Sequence, residues 1–166
     1  MPEKPVYEEK VSSARTEVLF VALALFFLAL FCWRLVVTGP GIIAGVFLLF
    51  LLLFTFYALS YRFLVIRIST ETLNLKFGVF GWTIPLHSIE KIYVDDISLW
   101  RISGAGIHFS SISGRYRAML NFLEHQRLVV VLKEKRGPVK DVAFSTGKPN
   151  EIMRIIGSFT SNEGAG

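Results

Sequence analysis

Hydrophobic positions along the chain fall into two unlike regimes. Between Val18 and Val37 the only charge is Arg34, and between Gly39 and Ser60 there is none. About twenty apolar residues wound as a helix cross the roughly 30 Å hydrocarbon core of a bilayer, so each run predicts a membrane span. Thr38, Gly39 and Pro40 separate the runs. A helix continued through Gly-Pro loses a backbone hydrogen bond and meets the proline ring, and the residue before proline avoids the α region. The pattern predicts a transmembrane helical hairpin over 18–60, after an N-terminal cytoplasmic tail over 1–17. Arg34 falls about a turn from the bend, where its side chain snorkels to the interface, and Trp33 beside it suits an aromatic belt.

From Tyr61 the pattern changes from continuous to alternating. In "LNLKFG", Leu73, Leu75 and Phe77 share one face and Asn74 and Lys76 the other, the period of a half-buried strand. Gly78 and Gly81 bracket Val79 and Phe80 in a hairpin turn, and Pro85 in "WTIPL" ends a strand because it has no amide hydrogen to donate. "SIEKIYVDD" reads as a strand with a bulge. "IHFSSIS", the basic turn "GRYR" and the apolar piece "AMLNFLEH" follow, and then two strands flank "KEKRGP". In "KPNEIMRIIGSF", Pro149 suits a first helical position, and Ile152, Ile155, Ile156 and Phe159 form one helical stripe. The expected domain over 61–160 has about seven strands in hairpin succession and one closing helix, an α+β, mainly β, antiparallel barrel or sandwich, with a disordered tail over 161–166.

Composition agrees with a membrane protein. Hydrophobic residues make up 52% of the 166, charged residues only 19%, and there are 15 Phe. The leader is long and mixed in charge, and no small-x-small cleavage site precedes the second run, which argues against a signal peptide. Lys4, Lys10, Arg15, Arg62 and Arg67 flank the runs, while the bend has only Arg34, so the positive-inside rule predicts a multi-pass cell-membrane protein with both termini cytoplasmic. The single cysteine, Cys32, has no partner for an internal disulfide.

Two spans, "LNLKFGVFGWTIPLHSIEKIYV", the Gly-rich "ISGAGIHF" and the closing "KPNEIMRII" together resemble the bacterial pleckstrin-homology-like (PH-like) domain of small membrane proteins. The spacing of Gly78, Ile84, Pro85, Leu86 and Ile89 is the most specific part of the resemblance. It implies a seven-stranded, partly open barrel capped by a C-terminal helix, in proteins regarded as scaffolds or accessory components of membrane systems.

Catalytic signatures do not appear in the sequence. There is no G-x-S-x-G, H-E-x-x-H or C-x-x-C, and His87, His108 and His125 lack a second ligand at metal spacing. Asp95 and Asp96 at a strand end suit turn amides better than acid–base work. No catalytic residue, metal or cofactor is expected, and the chain does not read as an enzyme. After residue 60 there are 14 Lys and Arg against nine Asp and Glu, a basic domain held beside an anionic leaflet. Arg115, Tyr116 and Arg117 in one turn, Lys133, Lys135 and Arg136 around another, and Trp100 in the intervening loop are the candidate lipid or partner contacts. The turn "STET" does not gather the basic residues by which eukaryotic PH domains hold phosphoinositides. Nucleic acid is not an expected partner, since no RNA-binding aromatic motif is present. The expected function is a membrane-anchored scaffold that binds a protein, its own copies or anionic headgroups. The alternative is an accessory subunit of a membrane enzyme or transporter.

Overall fold

The computed structural model describes residues 5–98, 105–112 and 114–162. Strand β1 (Tyr7–Ser12) leads into helix α1 (Ala14–Thr38), which is followed by helix α2 (Ile42–Ser60). Ser13 caps α1, its hydroxyl accepting from the Thr16 amide at 3.1 Å, and Glu17 places a negative charge in the first turn. The helix stops at Gly39, whose φ of 75° a residue with a side chain adopts only with strain. Phe27 holds the hairpin together, with its ring centroid 5.0 Å from Phe50 and 5.5 Å from Phe54. Both helices are long and apolar enough to cross a membrane, and only 6% of each apolar window is buried inside the protein. A helix apolar all round needs an apolar surrounding, and here the protein does not supply it.

Eight further strands follow: β2 (Phe63–Ile68), β3 (Thr72–Phe77), β4 (Phe80–Pro85), β5 (Ile89–Val94), β6 (Gly106–Ile112), β7 (Arg115–Asn121), β8 (Gln126–Arg136) and β9 (Val139–Thr146). They form two sheets, a four-stranded one in the order β1-β2-β3-β4 and a five-stranded one in the order β5-β8-β9-β7-β6. Alternation dictates which faces meet. Leu64, Ile66, Ile68, Leu73, Leu75 and Phe77 point inward from the first sheet, and Leu128, Val130, Val142 and Phe144 from the second, all fully buried. Helix α3 (Pro149–Asn162) lays Ile152 and Ile156 on this core beside β5 and β8, as its stripe predicts. The Ile-Pro-Leu segment is the corner between sheets: Ile84 lies in the core, Pro85 is the last residue of β4, opposite Thr72, Leu86 is buried in a single 3₁₀ turn, and Ile89 opens β5.

Three features correct the sequence reading. Residues assigned to a tail form β1, which pairs along its whole length with β2, from Tyr7 opposite Ile68 to Ser12 opposite Phe63. Its charges hide a two-residue period in which Tyr7, Glu9 and Val11 turn inward. The described residues contain nine strands in two separate sheets, not seven strands of one barrel. Pairing is not wholly antiparallel either, since β9 lies parallel to β7. The chain leaves β7, crosses to β8 beside β5, and only then returns as β9 into the gap between them.

Candidate functional site

The β1–β2 pair determines where everything else sits. Because α1 starts where β1 stops and α2 stops where β2 starts, the helical hairpin is inserted between two paired strands. Further bonds tie the same end of the sandwich to the helices. The Leu123 amide donates to Thr16 Oγ1 at 3.2 Å, Arg15 pairs with Glu124 at 3.4 Å, and a His125 ring nitrogen lies 2.7 Å from the Ser12 carbonyl oxygen. Gly78, with φ of 60° in the β3–β4 turn, presses so closely on the Ser60 carbonyl that a Cβ there would overlap it. The sandwich thus has a near end, at the helices, and a far end.

The candidate basic residues lie at the far end. Strand β6 leaves the helices from Gly106, next to Phe20, and turns back after Ile112, which pairs with Arg115. Tyr116 and Arg136 both pair with Val139, so the β6–β7 and β8–β9 turns adjoin. Arg115, Tyr116, Lys133 and Lys135 are exposed there. Lys140 is engaged, donating to the Lys133 carbonyl at 2.8 Å and pairing with Glu90 at 3.4 Å. Seven residues of β7 at about 3.3 Å each put this surface roughly 20 Å from the near end. The Arg136 side chain and all of Trp100 lie outside the described residues.

Arg117 has a different role from its neighbours. Its side chain is 4% exposed, and it turns away from the core onto the outer face of the five-stranded sheet. There Nη2 donates to Tyr93 Oη at 3.1 Å and to Asp141 Oδ2 at 3.3 Å, and Nη1 lies 3.4 Å from Asp95 Oδ1. Arg127 Nε donates to Asp95 Oδ2 at 3.1 Å, and its Nη2 donates to the Ile97 carbonyl. Two arginines and two aspartates so brace β5, β7, β8 and β9, beside a small apolar cluster of Met119, Val129, Val131 and Ala143. This corrects the assignment of Arg117 to a contact surface: a buried guanidinium with two carboxylate partners is not offered to a headgroup. Asp95 accepts from the Ile97 amide at 3.3 Å, the turn role expected of it, while its part in the ion network was missed. Alternation puts Arg117 and Met119 on one face of the strand and Ala118 and Leu120 on the other, but that both faces are buried is visible only in the structure.

A second brace joins β1 to the start of α3. Glu9 accepts from Thr146 Oγ1 at 2.6 Å, from the Gly147 amide at 2.9 Å and from the Tyr7 hydroxyl at 3.1 Å. Burial, together with the Glu9 charge and this hydrogen bond, pushes the Tyr7 hydroxyl well above the ordinary tyrosine value. Tyr61, at the end of α2, is raised as well, by burial first and by Tyr57 second.

On the side away from α3 the seam between the sheets is open. Tyr57, Tyr61, Phe80, Trp82, Ile107 and Phe109 bound a cleft of about 280 Å³ there, floored by Ala118 and Leu120. Among the described residues, no group of three His, Cys, Asp or Glu is placed to hold a metal ion. Compared with known proteins, the chain matches no family model, no curated protein and no solved structure.

Proposed function

We propose that the chain is a membrane-anchored interaction module, with α1 and α2 spanning the cell membrane, both termini cytoplasmic, and the far end of the sandwich presented to an acidic surface of a protein partner. The adjoining β6–β7 and β8–β9 turns carry this reading: Arg115, Tyr116, Lys133 and Lys135 are exposed together roughly 20 Å from the helices. Screening at physiological salt acts over about 8 Å, so charges at that height barely sense the headgroups of the bilayer that anchors them. A protein in the cytoplasm meets them directly. Two covalent connections and the β1–β2 pairing leave the sandwich no linker on which to swing, which favours a scaffold that presents one surface at a set height. The PH-like identity belongs to this proposal. The Ile84–Ile89 corner and the covering helix favour it, and the parallel β7–β9 pair departs from it.

The test replaces Tyr116 by a photoreactive phenylalanine in the full chain in native membranes. A protein adduct that is lost on Arg115→Glu with Lys133→Glu and Lys135→Glu supports the reading. Adducts formed only with lipid, or a protein adduct indifferent to all three reversals, would sink it.

A further inference from the structure

The open seam lies at the near end, beside the helices. Its walls come from three places: Tyr57 and Tyr61 at the end of α2, Phe80 and Trp82 on β4, and Ile107 and Phe109 on β6. The aromatic rings run without a break from the helical hairpin into the cleft, with Phe20 stacked on Tyr57 at 5.3 Å, Tyr57 4.8 Å from Tyr61, and Tyr61 stacked on Phe80 at 6.3 Å. Val79, Phe80 and Phe109 are more than half exposed at the rim, an apolar edge that water does not favour. Trp82 lines the cleft as well, and its indole Nε1 is shut off from solvent. A mostly apolar, aromatic slot that opens beside two apolar helices suits a hydrocarbon chain.

We infer that this cleft takes one acyl chain of a phospholipid from the adjacent leaflet. The inference rests on the reading that α1 and α2 span a bilayer. Tyr57 belongs to the last turn of α2, so the cleft opens where that helix leaves the hydrocarbon, and a chain passes from the leaflet along the helix into the seam. A volume of about 280 Å³ is near the lower limit of small-molecule pockets and fits one chain, not a whole lipid. The headgroup stays outside, in the interface.

The test uses tryptophan fluorescence of the full chain in phosphatidylcholine vesicles whose acyl chains are brominated at mid-length. One form keeps only Trp82 (Trp33→Phe with Trp100→Phe), and a second keeps only Trp33 in α1 (Trp82→Phe with Trp100→Phe). Trp82 emission is expected to fall at least twofold against unbrominated vesicles, and Ala118→Phe, which fills the cleft, is expected to restore it while Trp33 stays quenched. Ile107→Phe is the second filling variant should the first not fold. Trp82 unquenched beside a quenched Trp33 overturns the cleft site and leaves the spanning reading standing. Trp33 unquenched overturns the spanning reading and the inference with it. Quenching of Trp82 that survives both filling variants, or that only free brominated fatty acid produces, overturns the phospholipid assignment.

Discussion

Gly78 and Gly114 both hold positive φ, 60° and 76°, yet they differ in surroundings. A Cβ on Gly114 meets nothing within 4 Å, whereas one on Gly78 overlaps the Ser60 carbonyl. Gly114→Ala is therefore expected to cost only the left-handed backbone penalty, about 1 kcal/mol, and Gly78→Ala clearly more, since the end of α2 must move as well. Thermal unfolding of the two variants in the same detergent gives the comparison, and equal losses would mean that the sandwich and α2 are not pressed together. At Arg117 the penalty has another origin. Arg117→Ala leaves Asp141 buried without its cation and is expected to destabilise by about 3–5 kcal/mol, while Arg115→Ala, two residues away at the exposed start of β7, changes stability little. Tyr7 adds a pH dependence. Its neutral form is favoured in the folded chain, so folded and unfolded states bind protons alike below about pH 10, and above it the unfolded state loses its proton first. Stability contributed there is lost as pH rises past about 10, and an alkaline unfolding curve of Tyr7→Phe should lack that step. The sequence shows Tyr7, Arg117 and Asp95 only as polar residues in weak patterns. Nothing local tells which of them the tertiary structure will bury.

Among elements, legibility followed period. Helix α3 has a clean apolar stripe and a proline at its start, and it forms where expected. The helical hairpin is as plain, although α1 begins at Ala14, inside the presumed tail, because Ser13 caps it there. The strand pair β2–β3 was readable from alternation, and the Ile-Pro-Leu corner from the loss of a donor at Pro85. Strand β1 was not readable: "YEEKVS" has one aliphatic residue, and its inward Glu9 is satisfied by Thr146 and Gly147, which lie far away in sequence. Glu9→Ala is expected to weaken the β9–α3 junction by about 2 kcal/mol, two hydrogen bonds to a charged acceptor being lost. Faster amide hydrogen exchange at Gly147 and through the first turn of α3 reports it, and protection unchanged from the parent chain would show that β1 does not hold that helix. The parallel β7–β9 pair was also out of reach, since strand order depends on which gap the returning chain fills and not on any local pattern.

For the whole molecule, the two proposed roles fall at opposite ends of the sandwich. The near end is aromatic and apolar, and the far end basic, so conditions should separate their roles. Raising salt is expected to abolish the Tyr116 adduct with a protein partner and to leave acyl-chain quenching of Trp82 unchanged, because screening weakens exposed charge pairs and not the burial of a hydrocarbon chain. An adduct that persists in molar salt would mean that the far end binds through Tyr116 and not through its cations. The candidate residues for the far end could be picked from the sequence as two basic turns, but their adjacency and their distance from the helices could not. Both come from strand register.

The insertion of α1 and α2 between two paired strands also bears on how the chain is made. Strand β1 emerges first and has no partner until about fifty residues later, when β2 follows the second helix. Closing a loop of that length at random is slow, but a completed helical hairpin brings Ser13 and Tyr61 together and does most of the closing in advance. For a hairpin that spans a bilayer, the four-stranded sheet then forms only when both helices have crossed. A chain with one helix left out has β1 and β2 on opposite faces of the membrane and cannot complete its sandwich. If the helices span a bilayer as proposed, misinserted copies are expected to remain unfolded and open to proteolysis, and folding of the sandwich would then report the topology of the hairpin.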